Sequence, residues 1–136
     1  MTRKAKALVL DAWAVIAYLE DEPSAPEIAD LIASAHEEGL PVYMTVVNVG
    51  EVWYTIAREV SEEDANRSVK ELRDLRIQFE NVDWELTQEA ARFKSQNKMS
   101  YADAFAAALS KVKKADLVTG DKEFKPLEEQ IKIAWV

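Results

Sequence analysis

Four acidic residues far apart in the chain, Asp11, Glu51, Asp103 and Asp121, stand where an apolar run ends or where a helix begins. Carboxylates in such places do chemistry only if the fold gathers them. Two like charges about 4 Å apart repel by roughly 4 kcal/mol at an effective dielectric near 20. Four acids that converge must therefore take up a cation or lose their charge. Magnesium and manganese are hard divalent ions that take oxygen ligands and keep several waters. Zinc prefers His and Cys ligands, which this set lacks. An ion held by carboxylates orients a phosphodiester, activates water and stabilises the leaving oxygen.

Little else in the chain supports other chemistry. There is no cysteine, which excludes disulfides, thiolate metal sites and thiol nucleophiles. The single histidine, His36, lies near a helix C-terminus, where its charge suits the helix dipole better than it suits a triad. Gly39, Gly50 and Gly120 are the only glycines, so no Gly-rich phosphate loop is present. Trp53 and Trp135 fall at core spacing and read as packing residues.

The elements that must position the acids follow from periodicity. Ala7–Leu10 is a continuous apolar run ending at Asp11, the pattern of a central strand buried on both faces. A short apolar helix is expected over Trp13–Leu19, and Pro23–Pro26 opens another that stops before Gly39. Val42–Met44 reads as a second strand, with Thr45 capping a helix whose apolar stripe is Val49, Val52, Trp53, Ile56 and Val60. Ser61 and Asp64 form a capping box for a helix to about Arg73. Ile77–Val82 alternates as a third strand, Trp84–Asn97 is helical, and Ser100 caps a helix carrying Phe105, Leu109 and Val112. Asp116–Thr119 and the alternating Ile131, Ile133 and Trp135 are the last two strands.

Strands alternating with helices indicate an α/β three-layer sandwich around a central, mainly parallel five-stranded sheet, as one domain over residues 1–136. Ligands in such folds bind outside the carboxyl ends of the strands. All four acids belong to that edge.

Each acid also has a simpler reading. Asp11 suits a helix N-cap, Asp103 the acid of a capping box after Ser100, and Asp121 a cap for a short Lys122–Leu127 helix. Glu51 lies opposite the apolar stripe of its helix, which alone makes it a solvated surface residue.

The formal charge of −8, from 17 Lys and Arg against 25 Asp and Glu, disfavours nonspecific nucleic-acid binding. A basic face gathered from Lys111, Lys113 and Lys114, or from Arg73 and Arg76, would offset it; a mixed solvated surface is the alternative. Met1–Lys6 is basic, the apolar run after it is too short for a signal peptide, and no run reaches the ~20 residues of a membrane span. A cytoplasmic location is the expectation.

Four segments in order resemble one known family. They are Val9-Leu10-Asp11-Ala12, Val47-Asn48-Val49-Gly50-Glu51-Val52, Ser100-Tyr101-Ala102-Asp103 through Ala108, and Leu117-Val118-Thr119-Gly120-Asp121 with Phe124. The chain resembles the PIN domain family, and within it the VapC toxins of toxin–antitoxin pairs. The resemblance implies that Asp11 and Asp103 are the primary Mg²⁺ ligands, with Glu51 and Asp121 completing the cluster and Thr119 orienting water or phosphate. It further implies homodimers, with Tyr54 a candidate contact, an RNA substrate and a small antitoxin that blocks the site. The activity it implies is endonucleolytic hydrolysis of RNA by metal-activated water, leaving 5′-phosphate and 3′-hydroxyl ends. Trp13 departs from the family, which carries a small hydroxyl residue there. A large ring narrows substrate access or turns into the core, and it keeps open a PIN-like module that binds RNA or protein without cutting. A receiver-like domain with a phosphorylated Asp lacks the acid pair after strand one and the late Lys that it needs.

Overall fold

The computed structural model describes residues 5–136. Met1–Lys4, most of the basic N-terminal segment, lie outside the described residues. Five strands form one sheet in the order β3-β2-β1-β4-β5, and every pairing is parallel. They are β1 (Leu8–Leu10), β2 (Val42–Thr45), β3 (Ile77–Glu80), β4 (Asp116–Thr119) and β5 (Ile133–Trp135). The helices are α1 (Ala12–Leu19), α2 (Ala25–Glu37), α3 (Val46–Glu59), α4 (Glu62–Asp74), α5 (Trp84–Gln96) and α6 (Tyr101–Lys113), with a 3₁₀ helix over Lys122–Leu127.

The period of two along the strands divides the core into two layers. Leu8 and Leu10 of β1, Val42 and Met44 of β2 and Val118 of β4 pack against α1 to α4. Val9 and Leu117 face the other way, against α5, α6 and the 3₁₀ helix. Strands β1 and β4 are buried at every residue, which is why β1 reads as an unbroken apolar run instead of an alternating one.

The chain moves outward from β1 through β2 to β3 with its helices on one face. It then returns to β4 and β5 with its helices on the other. The order therefore reverses between β1 and β4, and a parallel sheet opens a crevice at that point, at the carboxyl ends of its strands.

Four strand ends differ from expectation: β1 begins at Leu8 instead of Ala7, β2 runs on to Thr45, and β3 and β5 are shorter. β3 stops at Glu80, and β5 begins at Ile133, with Ile131 buried just ahead of it. Ladder pairing sets these limits: β3 finds β2 partners only for Ile77–Glu80, and β5 pairs with β4 from Ile133 onward. Among the described residues no helix is long and apolar enough to cross a membrane.

Candidate active site

Asp11 follows β1 directly and caps α1. Its Oδ1 accepts the Ala14 N–H at 2.8 Å, and its Oδ2 accepts the Thr119 hydroxyl at 2.5 Å. The side chain is buried, with 2 % exposure. Burial is the main force pushing its pKa up to about 7; the two hydrogen bonds oppose it, and the charges of Asp103 and Asp121 add to it. Asp11 is thus both a cap and a member of the acid cluster, one function for each oxygen.

Asp103 sits in the first turn of α6, where Ser100 Oγ accepts its N–H at 3.1 Å. Half-buried, its carboxyl is pushed up to about 6, first by burial and then by the charge of Asp121, with Glu51 and Glu123 adding. Asp121 follows β4 after Gly120 and caps the 3₁₀ helix, accepting the Glu123 N–H at 2.9 Å. Carboxylate oxygens of Asp103, Asp121 and Glu123 lie within 4.8 Å of one another. Asp11 feels the charges of Asp103 and Asp121, and Asp103 feels that of Glu51, so the four sequence acids lie at one end of the sheet near β1 and β4, with Glu123 beside Asp103 and Asp121. The only signal for Glu123 in the sequence is an acid in the first turn of a short helix, which ordinarily suits the helix dipole alone.

Glu51 is not the solvated surface residue that its helix periodicity indicates. It is half-buried and its pKa is raised by burial, although a hydrogen bond from Asn48 counters the shift. Asn48 is fully buried and explains the placement. Its Nδ2 donates to Glu51 Oε1 at 2.9 Å and to the Ala102 carbonyl at 3.1 Å, and its Oδ1 accepts the Thr45 hydroxyl at 2.6 Å. One amide thus joins the start of α3 to the start of α6, beside Asp103. A buried amide commits its donors and acceptor to fixed partners.

Thr119 is buried and both sides of its hydroxyl are engaged. It donates to Asp11 and accepts the Asp121 N–H at 3.0 Å. It therefore holds two acids in register and does not face solvent, contrary to a direct contact with water or phosphate.

Trp13 lies neither in the core nor free of the site. A Cβ built at position 120 would stand 2.2 Å from Trp13 Cη2, so the indole occupies the space that a side chain there would fill. Gly120 links Thr119 to Asp121, which places the ring at the rim of the acid cluster. Trp53 and Trp135 are half-buried rather than fully packed. Their Nε1–H groups donate to Asn66 Oδ1 at 2.9 Å and Glu128 Oε2 at 3.0 Å.

Lys111 and Lys114 of the basic clusters line one pocket with Lys132, Glu128 and Glu129, and none of the clustered acids lines it. Lys111 pairs with Glu89, Lys113 pairs with Glu80, and the Arg73 guanidinium lies 4.3 Å from the centre of the Phe79 ring. The lysines near the acids are Lys122 and Lys125, exposed on the 3₁₀ helix that Asp121 caps. His36 Nε2 lies 2.9 Å from the Leu75 carbonyl, away from the acids, as its helix-end position suggests.

The donor set suits a hard divalent cation. It consists of carboxylate oxygens alone, three of which already stand at mutual distances that one ion can span. Burial raises the pKa values of Asp11, Glu51 and Asp103, and neighbouring carboxylates add to it at Asp11 and Asp103.

The sequence model of the PIN domain matches residues 8–129. The chain belongs to the PIN domain family. No curated protein matches it in sequence. Solved structures share this PIN fold at low identity. VapC20 of Mycobacterium tuberculosis, described as a Sarcin-Ricin loop cleaving toxin, is 16% identical with a TM-score of 0.72, covering 96% of this chain and 100% of its own. VapBC2 of Rickettsia felis, bound to a DNA fragment from its promoter, is 15% identical with a TM-score of 0.75, covering 96% and 99%. VapBC-1 of nontypeable Haemophilus influenzae is 16% identical with a TM-score of 0.72, covering 95% and 97%. At such identity these structures establish the fold of this PIN domain; its chemistry must be argued from its own residues.

Proposed function

We propose that this PIN domain is a Mg²⁺-dependent endoribonuclease, with Mn²⁺ able to substitute, and the toxin of a toxin–antitoxin pair. The observation that carries the proposal is the gathering of Asp11, Glu51, Asp103 and Asp121 at one end of the sheet near β1 and β4. The buried Asp11 and the half-buried Glu51 and Asp103 have their pKa values raised, and among the described residues no cation stands among the causes that shift them.

Asp11, Asp103 and Asp121 are the proposed metal ligands, with Glu51 and Glu123 at the sides of the cluster. When bound, the divalent ion lowers the pKa of its water and offsets charge on the phosphodiester. The protein's own contribution is preorganisation. Thr119 and the Ala14 N–H fix the two oxygens of Asp11. Ser100 fixes the first turn of α6 under Asp103. Asn48 holds Glu51 against the start of α6. These hydrogen bonds lower the carboxyl pKa values, against the burial and mutual charge that still hold Asp11 at about 7 and Asp103 at about 6, so Asp11 is only about half-ionised at pH 7 without a cation.

RNA as the substrate and a small antitoxin as the partner are supported by the likeness of the fold to VapC20, described as a toxin that cleaves the Sarcin-Ricin loop, and to VapBC pairs. We assign a homodimer on the family resemblance, with the exposed Tyr54 as a contact. A cytoplasmic location fits a chain without cysteine and without a membrane-spanning helix among its described residues.

The test is cleavage of single-stranded and structured RNA by the purified protein. Cleavage is expected with Mg²⁺ or Mn²⁺, is lost in EDTA, and is abolished in Asp103→Asn. An Asp103→Asn variant that cuts as well as wild type would overturn the assignment.

A further inference from the structure

The indole of Trp13 rests on Gly120 in a particular orientation. The position of a Cβ at residue 120 is 2.2 Å from Cη2 and almost equally near its ring neighbours, 2.5 Å from Cζ3 and 2.6 Å from Cζ2. Such nearly equal distances mean approach to the face of the ring; an edge-on approach would leave the flanking atoms much farther away. One face of the six-membered ring is thus laid on the Gly120 backbone. The residue as a whole is still 36% exposed. An aromatic ring backed by protein on one face in a residue that keeps this much exposure can serve as a stacking platform.

Gly120 also lines a pocket of about 320 Å³ with Lys122, Lys125, Trp135 and Val136. The two lysines are exposed, and neither has a partner among the salt bridges given for the described residues. They are the cations nearest the acid cluster along the chain. In a protein of formal charge −8 this pocket sets two lysines and an aromatic ring next to the chain segment that carries Asp121. Gly120 thus touches the indole on one side and lines the lysine pocket on another, and Asp121 follows it directly in the chain.

We infer that Trp13 and the Gly120–Lys122–Lys125–Trp135 pocket form the substrate subsite, in which an unpaired base beside the scissile phosphate stacks on Trp13 and a neighbouring phosphate meets Lys122 and Lys125. The inference rests on the nuclease reading for what lies at the acids, and it names the substrate as single-stranded or locally unpaired RNA. A paired base keeps its faces inside the helix, whereas bases in loops and single strands are free to stack on aromatic side chains. It also accounts for Trp13: its bulk does not close the site but supplies it with a surface for a base.

The experiment reads binding, separately from cleavage. Anisotropy of a short fluorescein-labelled single-stranded RNA is measured with Ca²⁺, for wild type, Trp13→Ala and Trp13→Phe, with a set of RNAs each carrying one abasic nucleotide. Trp13→Ala is expected to bind about tenfold more weakly, the equivalent of ~1.4 kcal/mol, with Trp13→Phe close to wild type. At one abasic position wild type should lose a similar factor, while Trp13→Ala loses nothing further. Lys122→Gln and Lys125→Gln should each lower the salt slope of binding by about 1.

Unchanged binding by Trp13→Ala, or an abasic penalty the same with and without the ring, overturns the subsite and leaves a protein contact as the use of this surface. Should Trp13→Ala fold poorly, the phenylalanine variant and the abasic series on wild type decide the question alone. RNA that binds through Trp13 but is never cut with Mg²⁺ or Mn²⁺ upholds the subsite and overturns the nuclease. Cleavage without dependence on Trp13 does the reverse, and no RNA binding at all overturns both.

Discussion

The hydroxyl of Thr119 donates to Asp11 Oδ2 at 2.5 Å while accepting the Asp121 N–H at 3.0 Å. One buried side chain thereby ties the acid after β1 to the acid after β4, across the point where the strand order reverses. Thr119→Val removes both bonds with little change of shape. Leaving a buried acceptor and donor unmatched is expected to cost about 1–3 kcal/mol in denaturant melts. The bond lowers the Asp11 pKa, so its loss should raise that carboxyl above about 7. The acidic limb of the pH–rate profile then moves to higher pH in Thr119→Val and stays in place in Thr119→Ser. A valine variant with the wild-type limb would show that the hydroxyl does not tune Asp11.

The crowded acids also set how stability depends on pH in metal-free protein. The carboxyls of Asp11 and Asp103 are raised to about 7 and about 6, so between pH ~4 and ~7 the folded state holds protons that the unfolded state has released. Stability contributed by these groups is greatest below pH ~4 and is lost as pH rises through their folded values. Thermal melts in EDTA should therefore fall between pH 5 and pH 7.5 for wild type. Asp103→Asn should melt higher than wild type at pH 7.5, with a shallower slope, because it removes one repelling charge. Identical slopes would mean that the acids do not feel one another.

Asn48 should matter to both folding and the site. Asn48→Ala leaves the Thr45 hydroxyl and the Ala102 carbonyl without their partner and frees Glu51. A loss of about 2 kcal/mol is expected from the buried groups. Weaker stabilisation by added Mn²⁺ should accompany it, as Glu51 leaves the cluster. Asn48→Asp should be worse, because it turns an acceptor toward Glu51.

Gly120 is required by close approach, since the space for its side chain is filled by Trp13. Gly120→Ala should destabilise the protein by about 1–3 kcal/mol through overpacking. In a Trp13→Ala background the same change should cost little, and the difference is the coupling energy of the pair. Additive effects would place the ring elsewhere in solution.

Much of this molecule was legible from residue patterns, and the remainder failed for identifiable reasons. A continuous apolar run marks β1 because both faces of that strand are covered. Asp11, Thr45, Ser61, Ser100 and Asp121 all cap as their positions suggest, because a cap is a local hydrogen bond three residues long or less. The same locality concealed Glu51. Its helix periodicity points outward, and only the contact of Asn48 with Ala102, from a distant helix, encloses it. Likewise the rest of Trp13 on Gly120 has no local signature. The sequence left open whether the ring turns inward or lines the site, and the fold puts it at the rim. The clustered lysines of α6 suggested a basic face, but two of them are drawn to nearby acids.

The central claim is that folding packs these carboxylates closely enough to require a divalent ion. Calorimetric titration of Mn²⁺ into wild type and Asp103→Asn at pH 7.5 tests it most directly. The account predicts saturable binding by wild type, weakened at least about tenfold (~1.4 kcal/mol) in Asp103→Asn, while circular dichroism shows both folded. Equal affinity in the two proteins, or no binding by wild type above its nonspecific background, would contradict it.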